Sequence, residues 1–282
     1  MSENEMNILE RIQYAYHSLT AAERKVADCI LNLGTAVQFM SITQLAEECG
    51  VADATISRFC RTLELSGFNA FKIALAKLSV ARPTAQNDLT DDTPEGRRAE
   101  VCRLALEAVQ QTGELIEPSK LDQAISLFEK APRVLCFGSG GSMVMASACA
   151  QLFSTVCNNF TAVSDSHSQL SATATMDKDD VLVLFSYSGS TTIGLHILEL
   201  AKNRGVHTIL VTRYVKSPAA NLADIVLCCG ANEGPFQLGS VPAKIAQLVV
   251  IDMLYQEYRY RNQHSCEDHI QSIASSLSGI HM

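Results

Sequence analysis

Five short runs, RVLCF, NFTAVS, DVLVLFS, HTILVT and DIVLCC, fall between residues 133 and 229, each separated from the next by a stretch with helical spacing of its apolar residues. Strands this continuously apolar have no face to offer to water, so they must be buried on both sides. The arrangement that does this is an open parallel sheet with helices on both faces. Two amphipathic segments, VCRLALEAVQQTGELI and SKLDQAISLFEKA, precede the first run, and the long VPAKIAQLVVIDMLYQEY follows the last. That last segment is apolar on nearly all sides, which predicts deep burial or a share in a homo-oligomer interface.

A parallel sheet takes its ligands at the carboxyl ends of its strands. Two of these ends are rich in small residues: GSGGS, Gly138 to Ser142, after the first run, and SYSGST, Ser186 to Thr191, after the third. In the strand order 2-1-3-4-5 the two loops flank the switch point. An anion needs several donors converging without bulk, and a helix N-terminus supplies free N–H groups with a favourable partial charge. Gly189 lets the backbone approach, and Ser186, Ser188 and Thr191 add hydroxyls. No GxSxG elbow surrounds these serines, so the loop reads as a binding element and not as a nucleophile. A dinucleotide site is the rival, since Asp165 lies at a suitable distance after GSGGS, but Met143 stands where the third glycine of GxGxxG belongs. Two further side chains fall near the same edge. His167 either hydrogen-bonds a ligand or serves a helix start, and Lys244 either balances ligand charge or is solvated.

Upstream, ARPTAQNDLTDDTPEG, Ala81 to Gly96, breaks every periodic pattern and reads as a linker between residues 1–80 and 97–282. The first part is entirely helical. Thr20 with Glu23, and Ser41 with Gln44, have the spacing of capping boxes at the starts of two helices. Gly50 ends the second, and a third follows at once as DATISRFCRTLE, with Ile56, Phe59, Cys60 and Leu63 on one face and Thr55, Ser57, Arg58 and Arg61 on the other. Two short helices joined by a glycine turn, the second offering guanidinium and hydroxyl groups, is the pattern of a helix-turn-helix reader of the DNA major groove. The whole chain carries a formal charge of −8, yet residues 54 to 82 hold five basic side chains (Arg58, Arg61, Lys72, Lys77, Arg82) against Glu64 alone. The positive field is local to the predicted groove-facing segment.

QLAEECGVADATISRFCRTLELSGFNAFKIAL, with TAAERKVADCIL before it, resembles the N-terminal domain of the RpiR family of bacterial regulators over roughly residues 5 to 80. Ala52 stands where that family usually has a capping serine, which leaves Asp53 to take over the cap, and Glu64 replaces a usual glycine. The two small-residue loops resemble the sugar isomerase (SIS) domain over roughly residues 100 to 262. That resemblance implies a flavodoxin-like fold with a phosphosugar ligand held by Ser142, Ser186, Ser188 and Thr191, with Ser139 and Tyr187 as neighbours. It also places Glu233 where related isomerases keep a general base.

The expected architecture is an all-α helix-turn-helix domain followed by an α/β domain with a five-stranded parallel sheet. The ten cysteines sit singly in apolar runs, which suits reduced core residues, and no apolar run reaches the length of a membrane span. The expected protein is cytoplasmic, with no cofactor, metal or catalytic residue. It is a transcriptional regulator, a repressor in its simplest form, whose partners are operator DNA, a phosphorylated sugar or amino sugar, and its own copies in a dimer or tetramer. The alternative is a phosphosugar isomerase or lyase with a helical appendage.

Overall fold

The computed structural model describes residues 7–81, 93–231 and 240–278. The chain forms two compact units that part between Arg103 and Leu104.

In the first unit, α1 (Ile8–Ala15), α2 (Ala21–Leu33), α3 (Ile42–Cys49), α4 (Asp53–Thr62) and α5 (Phe68–Ala81) surround one apolar core. Asn7, Thr20 and Ser41 each close a complete capping box at the starts of α1, α2 and α3, so the first three helix starts are written locally in the chain. Ile12, Ile30, Leu45, Ile56, Phe59 and Phe71 are fully buried, and Phe59 meets Phe71 edge-to-face at 6.3 Å. Each contributes roughly 1.5–3 kcal/mol through burial.

Helix α6 (Pro94–Leu115) begins in the first unit and continues past Leu104 into the second, where α7 (Pro118–Phe128) follows it and leads into the sheet. Helix α6 opens at Pro94, within the stretch expected to be linker. Proline is well suited to a first helical turn because its missing N–H has no partner there in any case. The sheet and its connections run β1 (Val134–Gly138), α8 (Gly141–Phe153), β2 (Phe160–Ala162), α9 (Ser166–Ala174), β3 (Val181–Phe185), α10 (Thr192–Asn203), β4 (His207–Thr212) and β5 (Ile225–Cys228), followed by α11 (Val241–Arg261) and α12 (Gln263–Leu277). All pairings are parallel, in the order β2-β1-β3-β4-β5.

Alternate residues along each strand enter two separate cores. Val134, Cys136, Val183 and Val211 pack with residues of α7, α8 and α11, while Leu135, Phe137, Leu182 and Leu210 pack with residues of α10. At the opposite edge from the small-residue loops, Arg133 grips the buried Asp180 through Nε at 3.2 Å and a terminal nitrogen at 2.5 Å, clamping the starts of β1 and β3. None of the ten cysteines forms a disulfide, and seven are buried. Among the described residues no helix is long and apolar enough to cross a membrane.

Candidate functional site

The first site lies on α4. Gly50 takes the left-handed conformation, φ 64°, and Val51 N–H bonds the Ala46 carbonyl at 2.9 Å, so α3 ends sharply at Cys49 and α4 begins at Asp53 after three intervening residues. Ile56, Phe59 and Cys60 hold α4 in the core, which turns Ala54, Arg58 and Arg61 outward at i, i+4, i+7; Thr55 and Ser57 flank them, half-buried. The expected cap by Asp53 is not made. Ala52 is the capping position and its methyl group cannot accept a hydrogen bond, while Asp53 accepts one from Thr43 Oγ1 at 2.8 Å and so staples α4 to α3. Lys72 donates to the Met40 carbonyl at 3.1 Å and lies over the Phe68 ring, a role that also ties α5 to the loop before α3.

Below α4, Glu23 is buried yet ionised. Burial raises its pKa, but hydrogen bonds from Thr20 and Thr62 and the charge of Arg58 outweigh that and hold it below its ordinary value. Thr62 reaches Glu23 at 2.8 Å, which fixes the end of α4 against α2. Glu64, the residue after the turn, sits at φ 57°, the left-handed region that glycine occupies without strain. Its side chain is 84% exposed and its carboxylate is 3.9 Å from Arg11, so little else compensates.

The second site lies at the carboxyl ends of β1 and β3. These strands are neighbours, with Gly138 opposite Phe185, so the two small-residue loops leave the sheet side by side, about 4.8 Å apart. A Cβ at Gly138 would lie 2.6 Å from the Ser142 carbonyl group, so only glycine lets the strand end meet the first turn of α8 this closely. Gly140, at φ 55°, turns the chain, and Ser142 N–H returns to the Ser139 carbonyl at 3.1 Å. In the second loop Ser186 is buried, with its Oγ 3.1 Å from Thr191 Oγ1, and Gly189 adopts φ 59°. The end of β4 and the loop after it brace this turn: Thr212 Oγ1 and Arg213 N–H both donate to the Tyr187 carbonyl, and Ala219 N–H donates to that of Gly189.

The capping pattern separates these two helix starts from their neighbours. Neither Gly140, before α8, nor Thr191, before α10, caps its helix with a side-chain hydrogen bond. In contrast, Asp165 closes α9 by accepting from the N–H groups of His167 and Ser168, and Ser240 closes α11. Hydrogen bonding to Ser168 and to the backbone keeps the Asp165 carboxyl below its ordinary pKa. The start of α9 therefore already holds an anion of the chain's own, while α8 turns its Ser142 and Met143 N–H groups back to the Ser139 and Gly140 carbonyls and α10 begins beside serine hydroxyls with no side-chain cap. Such an arrangement can hold a phosphate.

Of the residues expected around the ligand, Ser139, Ser142, Ser186, Ser188 and Thr191 all fall on these adjoining loops. Tyr187 spends its hydroxyl elsewhere, on the Ala231 carbonyl at 2.6 Å. His167 is exposed in the first turn of α9, and Lys244 lies half-buried one turn into α11. Glu233 lies outside the described residues. Gln169 had no signal in the sequence beyond being a polar residue amid a helix. It is buried, and its amide donates at 2.8 Å to both the Gly138 and the Val163 carbonyls, tying the ends of β1 and β2 together below the first loop.

Comparison with known proteins agrees with both halves. The helix-turn-helix domain of the rpiR family matches residues 6–81, and the SIS domain matches residues 127–256. An HTH-type transcriptional regulator of Caldanaerobacter subterraneus subsp. tengcongensis is 33% identical over 252 residues, covering 88% of this chain and 89% of the relative. The HTH-type transcriptional regulator HexR of Pseudomonas aeruginosa is 29% identical over 273 residues, covering 96% and 95%. Among solved structures, the Vibrio vulnificus NanR protein complexed with ManNAc-6P superposes with a TM-score of 0.87 at 25% identity, over 98% of this chain and 100% of that one. With a helix of outward arginines after a glycine turn in one half and paired small-residue loops at neighbouring strand ends in the other, this chain belongs to the RpiR family of HTH-type transcriptional regulators.

Proposed function

We propose that the protein is a repressor whose hold on its operator is released by a phosphorylated sugar or amino sugar bound between the loops Gly138–Ser142 and Ser186–Thr191. The observation that carries this reading is the pair of uncapped helix starts at adjacent strand ends, each beside serine or threonine hydroxyls. A neutral donor set of this kind binds an anion while leaving it free to depart, as an effector must. That the NanR structure holds ManNAc-6P supports a sugar phosphate as the class of ligand.

The protein acts as a homo-oligomer in this reading. Val144 on α8 and Val241 and Leu248 on α11 are exposed apolar side chains on two helices that pack against each other, a surface suited to a second copy. Two copies present two reading helices to a two-fold operator, and effector binding shifts the balance between assemblies that fit the half-site spacing and those that do not. No catalytic step is assigned. Asp165, the carboxylate at the end of β2, is occupied in capping α9 and is poorly placed to move protons.

A thermal-shift screen of phosphorylated sugars and amino sugars tests the ligand class, and a gel-shift assay on a selected operator tests its consequence. A hit that raises the melting temperature and releases DNA is expected. Turnover of that compound at ordinary enzyme rates, abolished by Glu233→Gln, would replace the sensor with an isomerase.

A further inference from the structure

We infer that the effector signal leaves the phosphate site through a short hydrogen-bonded path from the serine loop to α6, with the Thr112 hydroxyl as its junction. The inference rests on the phosphate-site reading above and adds the route by which that site is read.

The path begins at Tyr187, in the middle of the serine loop, whose hydroxyl donates to the Ala231 carbonyl at 2.6 Å. Arg213 Nε donates to the same oxygen at 2.9 Å. Ala231 sits at φ 131°, one of two non-glycine residues with positive φ in the described chain, so it is held in a backbone state that it would leave if its partners moved. One residue earlier, Gly230 N–H donates to Thr112 Oγ1 at 2.9 Å, and that hydroxyl donates in turn to the Ala108 carbonyl at 2.6 Å. A Cβ on Gly230 would lie 2.7 Å from the Gln111 carbonyl carbon and from Thr112 N, so helix and strand end meet backbone to backbone.

The attachment on the helix side is narrow. Ala108 and Thr112 are the buried residues of α6, whereas Val101, Leu106 and Val109 are exposed. The same dipeptide, Gly230–Ala231, is therefore gripped by the ligand loop on one side and by α6 on the other. Helix α6 is also the segment through which the chain, coming from its DNA-binding part, enters the sensor. A ligand that draws the Tyr187 turn toward itself acts on Ala231, and a residue in a strained conformation passes that displacement on instead of absorbing it. Thr112 is thus a positioning residue, with no contact to the ligand required.

Hydrogen exchange of the full-length protein tests this, with inorganic phosphate and then ManNAc-6P as probes. In the wild type, severalfold slower exchange is expected at residues 188–194, together with a change at Gly230 and residues 108–116. Thr112→Val removes the hydroxyl at nearly constant shape; it should keep the response at 188–194 and lose the one on α6, and Thr112→Ser should restore it. A wild-type response at 188–194 with none on α6 overturns the relay alone, whether or not the valine variant folds. An α6 response that survives in Thr112→Val removes the hydroxyl from the path. No response at 188–194 with either probe overturns the phosphate site, and the relay with it.

Discussion

The tightest point of the loop Ser186–Thr191 is Gly189, and adding one methyl group there tests how the loop is built. Its φ of 59° costs an L-residue about 1–2 kcal/mol. The new Cβ would overlap Ser217 Oγ, lie 2.5 Å from Ser217 Cβ and stand 3.2 Å from Thr212 Oγ1. Ser217 cannot easily yield, because it is fully buried and its hydroxyl accepts from Ala220 N–H. Overpacking of this kind costs about 1–3 kcal/mol. Gly189→Ala should therefore lose about 2–5 kcal/mol, or on the order of 10 °C in melting temperature for a unit of this size. If the loop shifts to relieve the overlap, the thermal cost shrinks but the donors no longer converge, and phosphosugar binding falls instead. Gly113→Ala supplies the opposite sign: it lies within α6 with nothing within 4 Å of the new methyl, so it should stabilise by up to about 1 kcal/mol. Thermal denaturation and titration calorimetry on both variants decide the matter. A Gly189→Ala protein with wild-type stability and wild-type affinity would refute the reasoning.

Three other outcomes follow from the geometry. Arg58→Ala with Arg61→Ala should weaken operator binding by about 1–3 kcal/mol per lost base contact while leaving effector binding intact, and unchanged DNA affinity in a gel-shift titration would move the reading face elsewhere. Glu64→Gly relieves the left-handed backbone and should stabilise the first unit by about 1 kcal/mol; a lower midpoint in chemical denaturation would contradict this. Burial raises the pKa of Asp180, but the hydrogen bonds from Arg133 and Asp177 N–H outweigh it and set the folded value below the ordinary 3.8, as similar bonds set Glu23 below 4.5. Both contributions are present above those ordinary values and are lost as pH falls through the lower folded ones. Melting temperature should thus drop as pH falls below about 4.5, and Asp180→Asn should flatten the part of that drop belonging to the second unit.

The sheet was legible because its interior strands leave no ambiguity: every residue of β1 and β3 is buried, as runs without polar interruptions require. Helix α4 was legible for a similar reason, since Ile56, Phe59 and Cys60 cannot be buried without turning Arg58 and Arg61 outward. Tertiary competition hid the rest. Asp53 looked like a cap by position but is claimed by Thr43, ten residues away. Pro94 and Gly96 read as breakers, although they lie in the opening turn of α6. Helix α12 escaped notice because it buries only Cys266, leaving a weak apolar signature. Gln169 could not be found at all, because what it serves are two carbonyls contributed by strands that meet only after folding.

The uncapped starts of α8 and α10 have a consequence for how this protein can be improved. A side-chain cap on α10, such as Thr191→Asp, would satisfy first-turn amides and raise stability by about 1 kcal/mol, as caps generally do, whereas Gly140 before α8 sits at φ 55° and admits no capping side chain without strain. In the proposed sensor the same carboxylate would occupy the place of the effector's phosphate. Selection for heat tolerance without ligand in the screen would favour such changes and yield robust proteins that no longer respond. On the proposed reading, an incomplete helix end is the cost of remaining able to sense.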